Sequence, residues 1–286
     1  INKVYILKNI IRIHIIIISI LIFSLLGYST NSVIIHNEFE HNTINKEHIS
    51  FFEDCNRTYT STDFISENSG IKFKQIPSLS TNFGFSKSAY WLKIEISNNT
   101  NTNQNYLATI AYPLINEINF YEIENNKIID SIITGESYKF STRKIEDRNF
   151  VFKMHIAENS NKTFLIRIYN SGETIRIPIN IEKISEKSEF GNNETFRRSL
   201  YYGYILFALI FNLLMFFELR KKHYFLLSIF ILSMSFFLFI IDGFAFQYFW
   251  KNSPYISNHA MIFFAMIACT SMIKFSDTFL NNTGQI

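Results

Sequence analysis

Residues 85–98 read FSKSAYWLKIEISN, and within them Tyr90, Leu92, Ile94 and Ile96 stand at every second position with Lys93 and Glu95 between. Successive side chains of an extended chain point to opposite faces, so this spacing predicts a strand with one buried and one wet face. Trp91 falls on the face opposite Leu92 and Ile94. The same alternation runs through Phe150, Phe152, Met154 and Ile156, through Phe164, Ile166 and Ile168, and through Ile175, Ile177, Ile179 and Ile181. Weaker versions cover residues 71–76, 105–112, 118–123 and 128–134. Asn98-Asn99, Asn125-Asn126, Asn159 to Asn161 and Ser171-Gly172 lie between the runs, and such residues tolerate positive φ or make side-chain turns. About eight short strands with no helical period between them predict an antiparallel β-sandwich or jelly roll.

The sequence changes character on both sides of this region. Residues 1–29 open with Lys3, Lys8 and Arg12, run apolar from Ile15 to Leu26 with Ser19 and Ser24 inside, and reach Gly27 and Ser29. That is the layout of a signal peptide or N-terminal anchor, and its apolar run is shorter than the ~20 residues a spanning helix needs. Beyond Tyr201 come three apolar segments, at about 201–217, 224–241 and 256–273. Arg220, Lys221 and Lys222 fill the loop between the first two, which the positive-inside rule assigns to the cytoplasm. Tyr201, Tyr202, Tyr248, Trp250 and Tyr255 fall near the opposite ends, where aromatic rings suit a membrane interface. The expected domains are therefore a leader over 1–29, an extracytoplasmic β-sandwich sensor over 30–196, and an α-helical transmembrane region over 197–286. The expected location is the bacterial inner membrane, crossed several times, with the sandwich in the periplasm.

A hydrophobic content of 48% with 31 Phe fits a chain in contact with lipid. Charged residues are only 18%, the net charge is +3 and the Lys and Arg residues are scattered, which argues against nucleic-acid binding. Cys55 lies in the polar region and Cys269 in an apolar segment, so they make poor disulfide partners. No zinc spacing, nucleophile elbow or zincin helix is present, and no cofactor or metal is expected.

Phe85 to Ile94, followed by Ser97-Asn98, resembles the "small residue, aromatic, Trp-Leu-Arg, alternating strand, Asn" signature of the bacterial seven-transmembrane receptors with diverse intracellular signalling modules, in their type 2 extracellular domain. Lys93 stands where Arg is usual. Further matches follow in order: Pro113-Leu114-Ile115 with Ile118 and Tyr121; Gly135-Glu136 with Arg143 and Arg148-Asn149-Phe150; then Thr163 to Arg167. The helical part is similar too, through Tyr202-Gly203, Phe211-Asn212-Leu213, Tyr224 to Leu227, Asp242-Gly243, Gln247-Tyr248 and Trp250, with Phe211 where Tyr is common. The resemblance implies a sensor whose outer domain is similar to carbohydrate-binding jelly rolls. It also implies seven helices and a cytoplasmic output module, so three helices read as a receptor fragment.

Four residues are candidate ligand contacts. Trp91 offers an aromatic face on which a sugar could stack, and Tyr112, Arg143 and Arg148 stand in or beside loops on a rigid scaffold. The alternative for Trp91 is a ring that closes the far side of the sandwich. Glu95 and Glu122 lie in strands, where an exposed carboxylate is ordinary, so a glycosidase pair is not expected. His36, His41 and His48 follow the leader in irregular sequence and are not expected to bind metal. Asn212 falls mid-membrane, where a polar side chain is expected to hydrogen-bond a neighbouring helix.

The expected function is that of a non-enzymatic membrane receptor. An unknown extracytoplasmic ligand, a carbohydrate or other small molecule, or a periplasmic protein shifts the packing of the helices through residues 183–200. Membrane lipid is a partner; nucleic acid is not. A second copy of the chain and a cytoplasmic signalling protein are left open. The alternative is an envelope polysaccharide-binding or structural membrane protein without signalling.

Overall fold

The computed structural model describes residues 49–65, 71–75, 82–98, 100–184 and 187–283. The leader expected over 1–29 and the three early histidines lie outside the described residues. Among those described, the strands are β1 (Ile49–Asp54), β2 (Lys74–Gln75), β3 (Asn82–Phe85), β4 (Ala89–Asn98), β5 (Gln104–Ile110), β6 (Glu117–Glu124), β7 (Lys127–Thr134), β8 (Phe150–Ile156), β9 (Ser160–Tyr169), β10 (Thr174–Arg176) and β11 (Ile179–Lys183). Every pairing is antiparallel. One sheet runs β2-β1-β4-β9-β6-β7, a second runs β11-β5-β8, and β3 and β10 form a ribbon.

Register follows from the alternation. Phe51, Leu92, Ile166, Phe120 and Ile132 form one rung across five strands of the large sheet. All point into a core shared with Phe150, Phe152, Met154 and Ile181 of the small sheet. Phe120 and Phe152 meet across the sandwich with ring centroids 4.6 Å apart and planes 3° from parallel. Each such side chain contributes about 1.5–3 kcal/mol by leaving water, which explains why no disulfide is needed; both cysteines are free. At the turns, Asn125 and Asn126 take φ of 49° and 58° in the two-residue link from β6 to β7, as a primed turn requires. Asn98 is buried and binds the carbonyls of Thr102 and Ala157 at 2.9 and 2.7 Å, tying the β4–β5 connection to the end of β8.

Three expectations need correction. The run from Ile175 to Ile181 is two strands, because Pro178 offers no N–H to a ladder and the chain passes there from the ribbon to the small sheet. Of the described residues 71–75, Lys74–Gln75 form strand, while β1 and β3 are additional. The far face of the large sheet is not simply wet: Trp91, Ile123 and Leu165 form a second apolar cluster there. The 3-10 turn Ser61–Phe64 and Phe73 cover that cluster.

The helices are α1 (Lys187–Leu219), α2 (Lys222–Ile241), α3 (Phe244–Tyr248) and α4 (Pro254–Thr283). Within them Thr195–Leu219, Lys222–Ile241 and Pro254–Leu280 are long and apolar enough to cross a membrane. Ser228 and Ser233 of α2 and Ala260, Ala268 and Ser271 of α4 are buried, and small residues let apolar helices approach closely. Phe236 and Phe264 stack between the same two helices at 4.8 Å. The Asn212 amide donates to the Ala208 carbonyl of its own helix at 2.8 Å.

Candidate functional site

Where the sandwich meets the helices, the loop between β7 and β8 is the main sandwich component. It leaves the large sheet at Thr134, and the backbone N–H of Glu136 donates to Ile115 O at 2.7 Å. That carboxylate is only 5% exposed and accepts from the Ser257 hydroxyl, in the first turns of α4, at 3.1 Å. The loop then makes a 3-10 turn, Phe140–Thr142. Phe140 N donates to Lys251 O at 2.8 Å, and its ring meets Phe246 of α3 edge-on at 5.6 Å.

Arg143 fills the centre. Its guanidinium lies 4.1 Å from the Phe150 ring, 4.6 Å from Phe140 and 5.6 Å from Phe246, so it links two sandwich rings to one helix ring. It donates to the carbonyls of Asp147 and Arg148 at 2.9 and 2.7 Å, which fixes the loop's path. Arg148 extends the contact: its guanidinium donates to Asp242 O at 3.2 Å and lies 5.2 Å from the Phe244 ring. The Asp242 carboxylate is held in turn by Tyr202 Oη at 2.7 Å and by Arg198, both from the outer end of α1. Gly243 takes φ of +80°, and a Cβ there would stand 2.6 Å from Pro113 Cβ and 3.0 Å from Arg148 O. Only glycine fits both the backbone and the space.

Electrostatics match the burial. Desolvation pushes the Glu136 carboxyl up to about 7 and the Glu173 charge adds to it, while the Ser257 hydrogen bond and Arg143 oppose. Desolvation lowers Arg143 to about 10, with Asp147 and Glu136 opposing. Tyr112 donates to Glu173 Oε2 at 3.3 Å, and burial with the Glu173 charge raises its hydroxyl to about 12. A joint of buried charges, cation–ring contacts and single hydrogen bonds is directional, so a small displacement of either side breaks several contacts together.

The four candidate ligand residues do not form one site. Arg143 and Arg148 lie together in the joint, and Tyr112 stands beside Pro113 at its edge. Trp91 is apart from them and 1% exposed, with its ring 4.4 Å from Phe64 and 6.3 Å from Tyr121. Glu95 and Glu122 point to opposite faces of the large sheet: Glu95 pairs with Lys93 in the open, and Glu122 pairs with Lys162 at 2.8 Å. Sequence reasoning singled out both arginines but not Glu136 or Ser257 as site residues. Glu136 had appeared only as one member of an ordered motif series.

A β-sandwich seated through a polar, aromatic joint on apolar membrane-spanning helices defines the class: a membrane protein with an extracytoplasmic domain coupled to its helices. The family follows from two matches. Residues 46–183 match the model of the 7TMR-DISM extracellular 2 domain, and residues 194–285 match the model described as 7TM diverse intracellular signalling. The chain belongs to this receptor family, whose domains are an extracellular sensor and the transmembrane region of a signalling receptor. No curated protein matches the chain. Among solved structures, the chain is similar to the β-glucuronidase of Ruminococcus gnavus at 10% identity and a TM-score of 0.28, covering 52% of this chain and 30% of that one. The same enzyme in complex with D-glucuronic acid gives 12% identity and 0.28, over 54% and 31%.

Proposed function

We propose that the sandwich receives an extracytoplasmic ligand, a carbohydrate or other small molecule, or a periplasmic protein. The Glu136–Arg143–Arg148 joint then transmits that event to α2, α3 and α4. The observation that carries this reading is the buried Glu136–Ser257 hydrogen bond beside an arginine shared between Phe150 and Phe246. A purely mechanical tether needs no buried titratable carboxyl at its attachment, whereas a two-position device needs contacts that differ between its positions. Residues 183–200 connect the same two parts through the chain itself, and we assign them the role of tether. The basic loop Arg220-Lys221-Lys222 supports a cytoplasmic end there and a periplasmic sandwich, hence a multi-pass protein of the inner membrane.

The test uses the full chain in lipid nanodiscs. Sugars, amino acids and metabolites are screened for a rise in melting temperature, since a ligand of the native state stabilises it by mass action. For any hit, hydrogen exchange is then followed in residues 136–150 and 242–260. Coupling predicts that ligand changes protection on both sides of the joint, and that Gly243→Ala abolishes the change in 242–260 while the hit still binds. A ligand that stabilises the sandwich and leaves both segments untouched would favour polysaccharide binding without signalling.

A further inference from the structure

Among the described residues, the large apolar side chain with the highest exposure is not on a membrane-spanning helix. It is Phe85 in the sandwich, 79% exposed, above Tyr255 at 74% and Ile273 at 70%. Its presentation is built into the ribbon. Phe83, two residues earlier, packs inward on Phe51 and Tyr90 with centroids 5.1 and 4.2 Å away. Regular alternation would turn Phe85 inward with it. Instead Gly84 takes φ of +70°, its N–H bonds Asn82 Oδ1 at 3.0 Å, and the pairing with β10 shifts register between Ile175 and Arg176. The bulge rotates Phe85 outward.

The ribbon's location gives that ring a partner. Phe85 is opposite Thr174. The neighbouring Glu173 binds Tyr112, and Pro113 abuts the Gly243 corner that follows α2. Phe85 therefore belongs to the end of the sandwich that meets the helices. Exposed Lys87 follows it in sequence, and exposed Arg176 lies across the ribbon. We propose that the β3–β10 ribbon is a second membrane contact of this domain, with Phe85 lodged among lipid headgroups and Lys87 and Arg176 facing anionic phosphates. An aromatic ring flanked by cations suits the zone between hydrocarbon and water, and the cations add attraction that salt weakens.

The experiment places Phe85→Trp in the full chain, in nanodiscs holding one copy each, with ordinary or ring-proximal brominated lipid of zwitterionic or anionic headgroup. The unsubstituted chain supplies the background from Trp91 and Trp250. The proposal expects the added emission to be blue-shifted and at least twofold quenched by brominated anionic lipid. It expects less quenching in zwitterionic lipid, at high salt, or when Lys87→Glu and Arg176→Glu are added. Added emission that stays at the wavelength of water-exposed indole and ignores bromination would overturn it. So would emission shielded only when two copies share a disc, which would assign the ring to a second copy of the chain. Equal quenching in both lipids would remove Lys87 and Arg176 from the contact.

Discussion

Between the sheets, Phe120 lies flat on Phe152 in a large apolar cluster; at the joint, Glu136, Arg143 and Asn149 are also buried and all are polar. The two regions therefore hold by different means. Burial in the core is nondirectional and large, so the sandwich keeps one arrangement. The joint depends on a few oriented contacts whose energies change with protonation and with displacements of an ångström. A receptor needs both, because a domain that deforms cannot move a helix and a joint that never shifts cannot report.

The largest expected effect tests the core half of that contrast. Phe164 is 0% exposed, opposite Ile94 in the large sheet and 5.9 Å from Phe120. Phe164→Ala is expected to cost about 3–5 kcal/mol of sandwich stability by lost burial and a residual cavity. Urea unfolding of the chain in nanodiscs, followed by tryptophan emission, measures it. A loss well under 1 kcal/mol would mean that the sheets do not depend on this packing.

Titration comes next. The Glu136 carboxyl sits near 7 in the folded chain against an ordinary 4.5, chiefly through burial. The folded state thus holds a proton that the unfolded state has released, and its stabilisation is full below about pH 4.5 and lost as pH rises through about 7. The shift corresponds to something on the order of 3 kcal/mol across that window. Glu136→Gln is expected to flatten most of the fall in the urea midpoint between pH 5 and 8. Glu173, also raised by burial, leaves a smaller slope of the same sign. An unchanged slope would place the titration elsewhere and make the joint no more pH-sensitive than the core.

Much of this architecture is written locally in the chain. Strands β4, β8 and β9 announce themselves because each spaces the apolar residues of its core face by two. The strand Ile49–Asp54 does not, since Phe51 packs into the main core and Phe52 against the cluster around Trp91, which erases the alternation. Pro178 sits inside an uninterrupted alternation, so the switch of sheets there shows only in three dimensions. The parity of Trp91 was legible and its cover was not, because Phe64 comes from a 3-10 turn without a period and the weak alternation around Phe73 does not say what it packs against. The joint was legible only as an ordered series of motifs: Pro113, Glu136, Arg143, Arg148, Tyr202 and Asp242-Gly243 are scattered through the sequence and meet at one place. Arginine in a loop signals a ligand as readily as a structural contact. The partner that decides between them, Phe246 or Asp242, lies about a hundred residues further on.

The smallest expected effect is the sharpest test of how the joint is held. Ser257→Ala removes the hydroxyl that donates to Glu136 from α4, and alanine suits a helix there. If Glu136 is neutral, the loss should be about 1 kcal/mol, the net value of a buried hydrogen bond; if it is ionised, the carboxylate loses a partner that stabilises its charge and the loss should grow. The cost of Ser257→Ala is therefore expected to rise with pH between 5 and 8, whereas a packing defect would cost the same throughout. Combining it with Glu136→Gln closes a double-mutant cycle. A coupling of about 0.5–1.5 kcal/mol that increases with pH in the Glu136 chain would make this contact the point where sandwich and helix read one another's state. Additive losses would shift that role to Arg143 and its shared rings, leaving Ser257 as a small residue that merely lets α4 approach.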